Sequence, residues 1–328
     1  MTTDFPPPRR SPRRSAWALA VAVALVGVLL LAVPRIGREI VAPLPSALPS
    51  LAMPSPPASS VNPEANVLLA VGDIGNCDGT HDEDVAALAA SLPGTIALLG
   101  DLAYPDGSTS NFKNCFAPAW SKLLPRLRPA PGNHEYQTSH ADPYYGFFGP
   151  VAGTPHQGWY SYDVGSWHIV VLNSNCAAVG GCDRGSAQMR WLAKDLATTA
   201  AGSVVFPAPC ILAYWHHPRY SSGLHGDDPM TDALWQTLAI NHATLVLSGH
   251  DHDYERFAPR DGIREFVVGT GGRSLYAWPG APEKGSEIRN NKSYGLLKLT
   301  LHESGYDWQF VPAAGSTFTD SGSGTCSS

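Results

Sequence analysis

Four times in this chain a site-forming polar side chain directly follows a glycine, and three of these junctions close a short apolar run. They are Gly72-Asp73 after VLLAV (67–71), Gly100-Asp101 after TIALL (95–99), Gly132-Asn133, and Gly249-His250 after TLVLS. A fifth run, CILAYW (210–215), leads directly into His216-His217-Pro218. Short apolar runs bounded by turn residues read as buried strands, and DEDVAALAASL (82–92), a segment near 117–127, SAQMRWLAKDLATT and MTDALWQTLAINH read as helices. Later segments, WYSYDVG, SWHIVVLNS, REFVVGT, YGLLKLTL and YDWQFVP, read as further strands. A βαβα start with a strand-rich continuation points to an α/β fold with largely parallel central pairing. In such sheets ligands bind beyond the carboxyl ends of strands, so Asp73, Asp101, Asn133, His216, His250 and His252 are expected to converge on one edge. The glycine before each donor allows a sharp turn and close backbone approach. One Gly-Asp pair would carry little weight, because Asp and Asn are ordinary turn formers; the repetition is what constrains the fold.

Carboxylate and amide oxygens mixed with imidazoles suit first-row metals of borderline character better than calcium or a thiolate zinc site. Two such ions need a bridging carboxylate, and as a pair they activate water and hold a phosphoryl group. Charge agrees with this use of the acids. From Val61 onward the chain carries 16 Lys and Arg against 26 Asp and Glu, a balance that repels nucleic acid unless carboxylates are gathered on metal. With 32 Gly and 29 Pro in 328 residues, loops are many and a coiled coil is excluded.

The junctions, read in order, resemble the metallophosphoesterase superfamily and, within it, the purple acid phosphatases. The blocks are GDIG (72–75), GDLAY (100–104), GNHE (132–135), WHHP (215–218) and GHDH (249–252), and Tyr104 is the member that separates the second family from the first. GHDHDYERF and GTGG (269–272) are further similar to the exported bacterial branch. The resemblance implies an α/β sandwich with central mixed sheets flanked by helices. It also implies one metal held by Asp73, Tyr104 and His252, with Asp101 bridging to a second held by Asn133, His216 and His250. The first ion would be Fe(III), coloured by the Tyr104 phenolate, and the second Zn, Mn or Fe. A hydroxide on this pair would attack the phosphorus of a small phosphate monoester in line. His134 and His225 would contact the phosphate, with Asn133, and protonate the leaving group. Glu135 would orient His134 or a ligand amide, and His217 would point away from the metals. The aromatic segment YQTSHADPYYGFFG (136–149) would wall the cleft as a loop. His81, His140, His156, His168, His242 and His302 match no block and take no catalytic role. The same ligands would serve a phosphodiesterase or nucleotidase, and a non-catalytic phosphate- or metal-binding protein is the reading from another class.

Ahead of the catalytic region expected over 64–328, residues 1–15 carry four Arg and one Asp, and Ala16 to Val33 is an uncharged apolar run. Eighteen helical residues reach about 27 Å, close to a bilayer core. The run reads as a signal anchor or signal peptide, with the basic tail in the cytoplasm and the Pro-, Ser- and Ala-rich stretch 34–63 as a linker outside. The catalytic region would then be extracytoplasmic, tethered to the membrane or secreted. Six cysteines fit an oxidising compartment and allow 15 pairings. The expected pairs are Cys176 with Cys182, closing a Gly-rich loop, Cys77 with Cys115, and Cys210 with Cys326, tying the tail to a strand.

Overall fold

Residues 66–327, apart from Thr80 and 203–209, are described by the structure, a computed structural model. The basic tail, the apolar run and the linker lie outside the described residues, and among the described residues no helix is long and apolar enough to cross a membrane.

The strands in chain order are β1 (Val67–Val71), β2 (Thr95–Leu99), β3 (Leu127–Ala130), β4 (Tyr160–Val164), β5 (Trp167–Val171), β6 (Cys210–Tyr214), β7 (Leu245–Ser248), β8 (Tyr254–Phe257), β9 (Arg264–Val268), β10 (Ser286–Asn290), β11 (Gly295–Leu301), β12 (Gly305–Pro312) and β13 (Ser321–Thr325). They form two mixed sheets, ordered β13-β12-β11-β1-β2-β3 and β10-β8-β9-β7-β6-β5-β4. Pairing is parallel within β1-β2-β3 and within β5-β6-β7-β9, and antiparallel pairs flank both cores.

The continuous apolar runs follow from burial on both faces. In β1, Val67, Leu69 and Val71 pack with Val85 and Ala89 of the helix His81–Ser91, while Leu68 and Ala70 point the other way and meet Leu212 and Tyr214 of the second sheet. In β6, Ile211 and Ala213 face a third apolar cluster with Leu192, Leu234 and Leu238 from the helices Ala187–Gly202 and Asp232–Ile240. The result is helix, sheet, sheet, helix, with both parallel cores presenting their carboxyl ends to a common edge.

The structure adds strands β8 and β10, which the sequence reading did not name, and three further elements differ from that reading. β3, LRPA, was hidden by Pro129; it sits at the end of its sheet, where a residue without an N–H is tolerated. Residues 136–149 are not an aromatic loop: Asp142–Phe148 is helical, and Tyr144, Tyr145 and Phe148 are buried in the first core, because their apolar area is worth more against Phe112 and Phe116 than beside water. β13, SGSGT, lacks any strand signal. It is held where Trp308 and Tyr306 close over Gly322 and Gly324, whose missing side chains leave room for the rings. The three expected disulfides are present, and Cys210–Cys326 anchors the chain just beyond β13.

Candidate dinuclear metal site

The donors arrive from both sheets. Asp73 follows β1, Asp101 and Tyr104 follow β2, and Asn133 follows β3; His216 follows β6, and His250 and His252 follow β7. The sharp turns fall on the donors themselves: Asp73, Asp101 and His250 have φ of 60°, 52° and 72°. Left-handed backbone at a side-chain-bearing residue costs about 1–3 kcal/mol and collects at functional sites. The preceding glycines chiefly give space. A Cβ on Gly132 would lie 2.1 Å from Asp101 Oδ1, and one on Gly249 would lie 2.6 Å from Asp73 Oδ2.

Each carboxylate is tied down by one oxygen and offers the other. Asp73 Oδ2 accepts from the His250 N–H (2.9 Å), and Asp101 Oδ1 accepts from the His134 N–H (2.8 Å). The Tyr104 hydroxyl is 2.9 Å from Asp73 Oδ1, 3.1 Å from Asp101 Oδ2 and 3.1 Å from His252 Nε2. On the other side, His216 Nε2 is 3.3 Å from Asp101 Oδ2, 3.0 Å from Asn133 Oδ1 and 3.2 Å from His250 Nδ1. Two groups of donors therefore share one atom, Asp101 Oδ2.

Separations near 3 Å are those of adjacent ligands about 2.1 Å from one ion. The imidazoles are also set for binding. His216 Nδ1 meets the Leu99 carbonyl (2.8 Å) and His252 Nδ1 the Ser274 carbonyl (2.7 Å). A carbonyl only accepts, so Nδ1 carries the hydrogen and Nε2 faces the donors, the arrangement that orients metal-ligating histidines. Electrostatics agree. Burial works to lower His216, yet the Asp101 charge pushes it up to about 9. Burial works to raise Asp101, and the His216 charge holds it well below the carboxylate range instead. Burial, Asp101 and Asp73 push the Tyr104 phenol well up, so ionising it there calls for a multivalent cation. The residues present fit a metal pair.

Residues 67–254 match the family described as calcineurin-like phosphoesterase. The chain belongs to that family. Among its relatives, purple acid phosphatase 22 of Arabidopsis thaliana is 28% identical over 152 residues, covering 43% of this chain and 34% of the relative. The Arabidopsis protein named probable inactive purple acid phosphatase 9 is 24% identical over 219 residues, covering 53% and 31%. The chain thus spans about a third of the length of these curated relatives. In fold, a purple acid phosphatase from yellow lupin seeds superposes with a TM-score of 0.67 at 18% identity, over 79% of this chain and 53% of the other.

Further groups border the donors. His134 lies against Tyr104 (ring centroids 4.4 Å) with Nδ1 facing the Pro105 carbonyl, and the His225 ring packs against that of His250 at 4.1 Å, tilted by 31°. Both expected histidines therefore border the donors. Glu135 does not hold His134 or an amide side chain: its carboxylate accepts the N–H groups of Asp101, Leu102 and Gly132 at 2.7–3.0 Å and so fixes the backbone under two donors. Burial and Asp101 push it up to about 7. His217 does not point away. Its ring is 4.5 Å from that of His250, Ser174 Oγ pins Nδ1 at 2.8 Å, and it can form a three-imidazole group with His216 and His250. Burial and the His216 charge lower it to about 3, so it is neutral.

Two further neighbours had no signal of their own. Tyr276 stacks on His252 at 4.0 Å with its hydroxyl 3.3 Å from Nε2. The Arg273 guanidinium covers the Tyr104 ring at 4.9 Å. They lie 24 and 21 residues beyond His252, just past the GTGG block, and only the return of β9 to the sheet edge brings them back.

Proposed function

We propose that the chain hydrolyses small phosphate monoesters at a dinuclear site. Asp73, Tyr104 and His252 would hold one ion, Asn133, His216 and His250 the other, and Asp101 would bridge them. The observation that carries this reading is the position of Asp101 Oδ2, 3.1 Å from the Tyr104 hydroxyl and 3.3 Å from His216 Nε2. Tyr104 supports Fe(III) in the first position, with zinc, manganese or iron in the second. When bound, the pair would supply Lewis acidity toward the phosphoryl oxygens and lower the pKa of the attacking water.

The protein's part is placement. Asn133 and His134 would contact the phosphoryl group; His134 has Nδ1 at the Pro105 carbonyl and Nε2 3.7 Å from Asp101 Oδ2, so Nε2 would serve a phosphate oxygen or the leaving group. Tyr276 offers a hydroxyl beside His252. The relatives include a phosphatase and a protein named inactive, so activity rests on the donor set, and all seven donors are present. Three disulfides support an extracytoplasmic location, with residues 1–15, 16–33 and 34–63 as tail, anchor or cleaved signal, and linker.

The test is turnover of an aryl phosphate against the matching aryl diester. Faster hydrolysis of the monoester supports the proposal; preference for the diester makes the chain a phosphodiesterase on the same ligands. No turnover of either by metal-loaded protein would leave a binding protein.

A further inference from the structure

The residue between the two histidines of GHDH is Asp251, which is fully buried and points away from the metal donors into the loop 221–226. Its Oδ1 accepts the His225 N–H at 2.8 Å and meets His225 Nδ1 at 3.0 Å. Its Oδ2 accepts from Ser221 Oγ at 2.5 Å and from the Gly226 N–H at 3.3 Å. The loop closes tightly on this carboxylate, since a Cβ on Gly223 would fall 2.2 Å from Asp251 Cγ. His225 is exposed and would otherwise be a free rotor. Instead one carboxylate oxygen grips both its backbone and its ring, while the ring lies on His250.

We propose that Asp251 is a positioning residue that locks His225 as the proton donor to the departing alcohol, in a carboxylate–imidazole pair built between the two metal-ligand histidines. The proposal rests on the phosphate-ester reading above. A carboxylate accepts only, so Nδ1 keeps its hydrogen on Asp251 and Nε2, at the far edge of the ring, is the nitrogen that can exchange a proton. In the step itself the attacking water's oxygen bonds to phosphorus as the bond from phosphorus to the ester oxygen breaks. The His225 Nε2 proton goes to that oxygen, and the proton released by the water passes to solvent, from which Nε2 is recharged. A proton supplied in this way matters most when the leaving alcohol is poor. A stretch of loop that merely supported the fold would not distinguish leaving groups.

The test uses the metal-loaded full chain. Asp251→Asn should keep two ions per chain and lose about 10²-fold on an alkyl phosphate, with a clearly smaller loss on an activated aryl phosphate. Adding His225→Ala to it should cost little more, because the two act as one unit. Nitrogen NMR of the wild-type zinc-loaded chain, with His225→Ala to assign the signal, should find hydrogen on His225 Nδ1. Equal losses on both esters, additive losses in the double variant, or a neutral ring protonated on Nε2 alone each overturn the proposal. Should Asp251→Asn fail to fold, the NMR signal decides. If wild-type protein hydrolysed no phosphate ester, the functional reading would fall while the ring signal still reported on the pair.

Discussion

The two sheets bring different chemistry to the edge they share. Every oxygen donor, Asp73, Asp101, Tyr104 and Asn133, follows a strand of the first sheet, and every imidazole, His216, His250 and His252, follows a strand of the second. The oxygen half carries the negative charge and is fixed by backbone N–H groups, in part through Glu135. In the nitrogen half, His216 and His252 are fixed by carbonyls. Each half also leans on the other: the N–H that holds Asp73 belongs to His250, and the carbonyl that holds His216 belongs to Leu99. A site divided in this way exists only when the sheets are packed together, so its integrity reports on the core between them.

The residue that joins the halves should be the most sensitive. Asp101→Asn is expected to lose both ions and activity together, by more than the 10- to 100-fold typical of outer hydrogen-bond partners. Two ions retained per chain, measured by elemental analysis, would show that the halves do not meet at Asp101. Tyr104→Phe removes a donor of the first ion, beside Asp73 and His252, and none of the second. It should abolish a visible phenolate-to-iron band and weaken the first ion while leaving the second in place; a colourless, iron-free but fully active wild-type preparation would shift the reading to manganese or zinc.

Glu135→Gln should act more mildly, weakening metal binding by about 10- to 100-fold through the backbone of Asp101. Competition with a chelator measures it, and unchanged affinity would mean that the turn holds itself. The smallest effect is expected outside both halves. Burial works to lower His168, but hydrogen bonds with Asp195 and Asp163, both at 2.9 Å, raise it above 6.5. A raised histidine contributes stability that is complete below its unfolded value and fades as pH rises through the folded one. His168→Gln should therefore melt about 2–4 °C lower near pH 5.5, converge with wild type near pH 9, and leave turnover untouched. A gap that widens with pH would contradict the assignment.

How far this was readable in the sequence depended on the kind of signal. The parallel strands were visible because burial on both faces writes VLLAV and TIALL as unbroken apolar runs, and the donors because each stands where such a run stops. β3 and β13 were not, because Pro129 and the SGSGT stretch acquire their strand character from an edge position and from aromatic rings on β12. Likewise the blocks contain Glu135 and Asp251 but do not show which groups they hold. Glu135, Asp251 and Tyr276 act through contacts spanning 24 to 34 residues, and a spacing rule carries no such information.

Whether one metal pair is shared between the two sheets is tested most directly by native mass spectrometry of the purified chain, read beside its turnover of an aryl phosphate. Two ions per chain are expected, with activity that vanishes on chelation and returns only as the second ion is restored. Full activity with one ion or none would contradict it.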